Sequence, residues 1–148
     1  MLTQRTAHLR DHPGQISFPG GRCGRQILAA TYRLAPETFE EIGLTREHVE
    51  LVGYLPEYRT ATGFASRRVV AMVTPPFDLR LDAPSRWQKA FRSAFVVPDG
   101  SANHQRHSLH YRGKLRHYYA MPYGDYFIWG ATAGIIMSLY RALQASAG

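Results

Sequence analysis

The chain has 148 residues, 45% hydrophobic and 20% charged, which is enough for one domain with a packed core and too few for two. No apolar run approaches the ~20 residues that a helix needs to cross a bilayer, no signal peptide opens the chain, and the single cysteine, Cys23, excludes an intrachain disulfide; together these predict a cytoplasmic protein with no membrane partner. Eighteen Lys and Arg against eleven Asp and Glu give +7, a balance that favours polyanionic partners such as nucleotides. The charge is dispersed and no RNA- or DNA-binding motif accompanies it, so nucleic acid is disfavoured.

The opening residues, MLTQRTAHLR, read as the end of a strand followed by a polar turn. Pro13-Gly14 and Pro19-Gly20-Gly21 are turn punctuation on either side of the apolar strand Ile16-Ser17-Phe18. Glycines there let backbone approach phosphate or metal closely. Residues 28–43 are helix-like, but Pro36 removes a backbone donor and crowds the carbonyl of Tyr32. The spacing predicts a kink or two pieces, the second starting near Pro36 and stopped by Gly43. On that piece Glu40 and Glu41 flank Glu37 on one stripe, while Ala35, Phe39 and Ile42 occupy the opposite side. Two readings follow. Pro36 at a first helical position with acids behind it makes an ordinary surface helix. Three crowded carboxylates also make a ligand set for Mg²⁺ or Mn²⁺, which take hard oxygen donors and share them with substrate phosphates.

Residues 47–56 begin polar and become apolar, placing a strand over residues 49–55, and residues 59–64 are a polar loop. Residues 69–73 are a short continuous apolar run of the buried-strand type, ended by Pro75-Pro76, with a loop to Pro84. His104, His107 and His110 recur every third residue. A strand does not put all three on one face, and no acid or cysteine completes a zinc site, so a polar loop or strand is the better reading. Residues 118–122 and 126–129 are aromatic-rich strands joined by the Tyr123-Gly124-Asp125 turn. Residues 131–143 form an apolar helix whose packing stripe is Ile135, Leu139 and Leu143.

SFPGGR followed by ETFEEIGL resembles the Nudix hydrolase signature, G-x5-E-x7-R-E-U-x-E-E-x-G-U with U apolar. The longer words LTQRTAHLRDHPGQISFPGGR, PPFDLR, NHQRH and YYAMPYGDYFIWGATAGII are similar to the coenzyme A pyrophosphatase branch of that family. The resemblance implies an α/β fold, a mixed curved β-sheet between α-helices, as a single domain over residues 1–148. It also implies hydrolysis of the diphosphate of coenzyme A or its thioesters with Mg²⁺ or Mn²⁺. By position, Glu37, Glu40 and Glu41 are the metal ligands, Glu37 and Glu40 the catalytic residues, and Arg22, His104 and Arg106 bind substrate. NHQRH is then a loop near the substrate.

The chain departs from the pattern at several places. Pro36 stands where the motif has arginine, Ile27 where the glycine loop has an acid, and Thr38 at an apolar position. Arg33 lies at an i,i+4 spacing from Glu37, which supports only a loose ion pair. Residues 85–95 resemble a family segment that forms a short helix carrying an auxiliary acid, but here the acids have become Arg86, Lys89 and Arg92. Those cations repel a metal, grip substrate phosphate or, with Trp87 and Phe91, suit nucleic acid. The family has a further strand before this chain's first residues, so an open sheet edge is expected there, inviting a homodimer. These departures leave a second reading, a catalytically impaired module that binds coenzyme A or a nucleotide.

Overall fold

The computed structural model describes residues 1–19, 42–60, 63, 65–75, 78, 80–81, 87–91 and 103–148. The chain divides into two compact units, residues 1–52 with 71–93 and residues 53–70 with 94–148.

In the first unit, β1 (Leu2–Arg5) lies between β2 (Ile16–Ser17) and β5 (Trp87–Phe91), antiparallel to both. Being bonded on both sides, β1 buries Leu2 and Thr3 completely, and the Thr3 hydroxyl donates to the Ser17 carbonyl at 3.1 Å. The open edge expected at the start of the chain is therefore not at β1. The turn from β1 to β2 is closed by Arg5 N–H donating to Gln15 O at 3.0 Å and by Gly14 N–H to Thr6 O at 3.3 Å. β5 corrects the expectation of a helix over residues 85–95: its described part is a strand in register with β1, Leu2 opposite Phe91 and Thr3 opposite Ala90. Trp87, Ala90 and Phe91 stand at i, i+3 and i+4, a spacing that suits a helix, and pairing with β1 overrides it.

A 3-10 turn, Arg46–His48, leads into β3 (Val49–Arg59), which pairs with β4 (Ala65–Val73); β3 begins in the first unit and ends in the second, and β4 returns to the first. β3 runs past the expected end and takes in Pro56. Among the described residues β3 and β4 form a two-stranded sheet, and a strand at a sheet edge is where proline is tolerated. β4 is also longer than its apolar run, and it is not of the buried type: Met72 is 61% exposed and Val69 to Ala71 are only half-buried.

The second unit holds the sheet β6 (Gln105–Tyr111), β7 (Lys114–Tyr123) and β8 (Tyr126–Trp129), in that order and antiparallel, followed by α1 (Gly130–Ala147). The aromatic strands and their Gly124-Asp125 turn stand where expected. Met121, Ile128, Ala133, Ile136 and Met137 form the buried core here. The helix thus buries Ala133, Ile136 and Met137, not the stripe Ile135, Leu139 and Leu143. Leu143 is 47% exposed.

Candidate active site

Ile42 is helical and fully buried, Leu44 is buried, and between them Gly43 takes φ +70°. The expected glycine stop is therefore present, with a residue in the left-handed region ending the helix. Arg80 N–H donates to the Ile42 carbonyl at 2.8 Å, satisfying an acceptor that a helix end would leave bare. A Cβ on Gly43 would stand 3.2 Å from Arg80 Cβ, N and O. The chain immediately after Glu41 is thus fixed by two buried side chains, Ile42 and Leu44, and a backbone clamp. Glu37, Glu40, Glu41 and Arg22 lie outside the described residues, as do Cys23, Ile27, Arg33, Pro36, Thr38, Arg86 and Arg92. Among the described residues no three His, Cys, Asp or Glu come together as a cation site.

The NHQRH word is not a loop: Gln105, Arg106 and His107 belong to β6. Its polar composition reads as loop because residues 106–117 are exposed on both faces of a hairpin. His104, half-buried just before β6, packs edge-on to Tyr140 with ring centroids 5.0 Å apart. Arg106 is exposed and opposite Tyr119, so the two share a face. On that face Arg141 Nη2 donates to Tyr119 Oη at 2.7 Å, with its guanidinium 5.7 Å from the ring centroid. His107 points to the opposite face, stacked on Tyr118 at 5.7 Å and held 2.9 Å from Gln105 Oε1. The structure therefore brings the side of Arg106 together with Tyr119 and Arg141 and leaves His107 apart, as alternation along a strand requires.

One polar cluster escaped the sequence. Arg68 of β4 is 8% exposed, and its Nε and Nη1 are buried with no hydrogen-bond partner among the described residues. Its guanidinium lies 5.3 Å from the Tyr58 ring centroid. Burial lowers the Arg68 pKa, and Tyr58 acts against that shift. Tyr58 in turn lies beside α1, where a Cβ on Gly134 would stand 3.0 Å from Tyr58 Oη. A second arginine next to Arg67, before an apolar run, reads as the polar margin of a strand and carries no signal of burial.

No protein-family model matches the chain. Curated relatives do. The uncharacterized Nudix hydrolase NudL of Enterobacter sp. (strain 638) is 35% identical over 151 residues. NudL of Escherichia coli (strain K12) is 36% identical over 148 residues, and that of Escherichia coli O1:K1 / APEC 37% over 151. Each alignment covers 97% of this chain and 73% of the relative. The chain belongs to the Nudix hydrolase family. With membership come the α/β Nudix fold and an enzyme of the Nudix pyrophosphohydrolase type. No helix among the described residues is long and apolar enough to cross a membrane.

Proposed function

We propose that this Nudix chain hydrolyses the diphosphate linkage of coenzyme A or its thioesters, giving adenosine 3′,5′-bisphosphate and 4′-phosphopantetheine or its acylated form. The observation that carries the substrate is the pair of longer words HPGQISFPGG and NHQRH, while SFPGGR and ETFEEIGL supply the hydrolase signature. Glu37, Glu40 and Glu41 hold Mg²⁺ or Mn²⁺, and the backbone near Gly20 and Gly21 contributes carbonyls. When bound, the cation neutralises phosphate charge and makes water a better nucleophile. Glu37 and Glu40 orient that site, while Arg22, Arg106 and His104 take the substrate's phosphates. His104, held against Tyr140, has a defined position for that role. A cytoplasmic setting fits a substrate of this kind.

Product analysis on coenzyme A, NADH, ADP-ribose and dGTP with Mn²⁺ tests the reading. Preferential release of adenosine 3′,5′-bisphosphate from coenzyme A is expected. Preferential turnover of dGTP would overturn the substrate while leaving the family intact.

Pro36, Ile27 and Arg86 favour a second reading, a weak catalyst that chiefly binds coenzyme A or a nucleotide. Orientation and charge at a hydrolytic site are each commonly worth about 10²–10³ in rate. Pro36→Arg with Arg86→Glu is therefore expected to raise kcat above the parent by more than either change alone. A folded double variant, checked by circular dichroism, with no gain would place the defect elsewhere.

A further inference from the structure

The sheet β6-β7-β8 has one face under α1 and one facing away from it. Cross-strand partners share a face, so buried Met121 and Ile128, opposite each other, and Tyr119, bonded to Arg141, mark the helix side. The register sends a different set to the other side: His107 opposite Tyr118, Leu109 opposite Arg116, Tyr111 opposite Lys114, and Phe127 and Trp129 from β8. Trp129 meets Tyr118 edge-on at 5.7 Å, and Tyr118 stacks on His107 at 5.7 Å, a row of rings across three strands. Yet the rings are not sealed in. Trp129 is 38% exposed, Phe127 51% and Tyr111 40%. Arg112, at the hairpin turn, holds its guanidinium 5.3 Å from the Tyr111 centroid.

Charge on this sheet has one sign. From residue 100 to residue 148 the only acid is Asp125, against Arg106, Arg112, Lys114, Arg116 and Arg141. Lys114 and Arg116, two apart on β7, share a face by alternation, and the register sets that face on the side of the rings. An exposed aromatic row beside unopposed cations calls for a partner that is both flat-ringed and anionic.

We propose that this outer face binds single-stranded nucleic acid. Phe127, Trp129 and Tyr111 stack bases, and Lys114, Arg116 and Arg112 take the backbone phosphates, the combination that sequence-tolerant single-strand binders use. The contacts to Tyr118 and His107 hold Trp129 in place, so little ordering is needed on binding. A second copy of the chain fits poorly, because it sets like charges against like. A duplex hides the base faces that the rings would meet. The proposal does not rest on the glutamate site.

The test is fluorescence anisotropy of labelled dodecauridylate titrated with the full chain at about 50 and 200 mM salt. Saturable binding that weakens at least about tenfold across that range is expected. Lys114→Glu with Arg116→Glu should cost about tenfold or more and flatten the salt dependence. Phe127→Ala should cost about tenfold and leave the salt dependence unchanged, as lost stacking does. Tyr111→Ser, at the hairpin tip, gives a second ring variant should Phe127→Ala not fold. Absence of binding would overturn the proposal. So would equal competition by inorganic polyphosphate with no effect of either ring variant, equal affinity for anionic lipid vesicles, or a stable dimer in sedimentation that Lys114→Glu with Arg116→Glu disrupts.

Discussion

Gly43 is the position where backbone geometry and packing coincide. Its φ of +70° costs a side-chain-bearing residue about 1–2 kcal/mol. A Cβ there would also press on Arg80 backbone at 3.2 Å, where Gly124, at φ +55°, has nothing within 4 Å. Gly43→Ala should therefore lower stability in urea by roughly 2–4 kcal/mol and Gly124→Ala by about 1–2 kcal/mol; equal losses would contradict the clamp. Gly43 was legible because a helix stop is local chemistry. Arg68 was not, because burial is decided by residues far off in sequence. Its two buried unpaired donors cost about 1–3 kcal/mol each, against at most ~2 kcal/mol from the Tyr58 ring. Desolvation wins, so Arg68→Met should be neutral or stabilising, by up to about 4 kcal/mol. A loss above about 1 kcal/mol in urea would show that the ring contact outweighs it.

At the scale of elements, type was legible wherever local residues decide it, and burial was not. The strand over residues 49–55, the aromatic hairpin and the last helix all exist, because their apolar and turn residues act locally. The helix face was misread for a physical reason. GATAGIIMSLYRAL is apolar around most of its circumference, so period alone does not choose a stripe, and the sheet chooses Ala133, Ile136 and Met137 instead. Ile136→Ala should then cost about 2–4 kcal/mol by thermal or chemical melting, whereas Leu143→Ala, at an exposed position, should stay within about 0.5 kcal/mol. The reverse order would restore the stripe Ile135, Leu139 and Leu143. β4 teaches the same lesson: a continuous apolar run predicts a strand, but with β3 as its single partner among the described residues its apolar side chains stay half-buried or exposed. β5 is the converse, a segment read as helical by its likeness to relatives that pairs with β1 instead.

For the whole molecule, the sequence carried the family further than it carried the shape. The words SFPGGR and ETFEEIGL are specific because metal chemistry fixes residue types at fixed spacings, and curated Nudix relatives aligned over 97% of the chain agree. The placement of charge needed the structure, since only strand register shows that Lys114 and Arg116 share a face with Trp129. The central claim is that Glu37, Glu40 and Glu41 form a divalent-cation site despite Pro36 beside them. Calorimetric titration of the chain with Mn²⁺ tests it most directly, comparing wild type with Glu41→Gln and with the triple Glu37→Gln, Glu40→Gln, Glu41→Gln variant, all confirmed folded by circular dichroism. Saturable binding by the wild type, weakened by Glu41→Gln and abolished in the triple variant, is the predicted result. Equal binding by all three chains would contradict it.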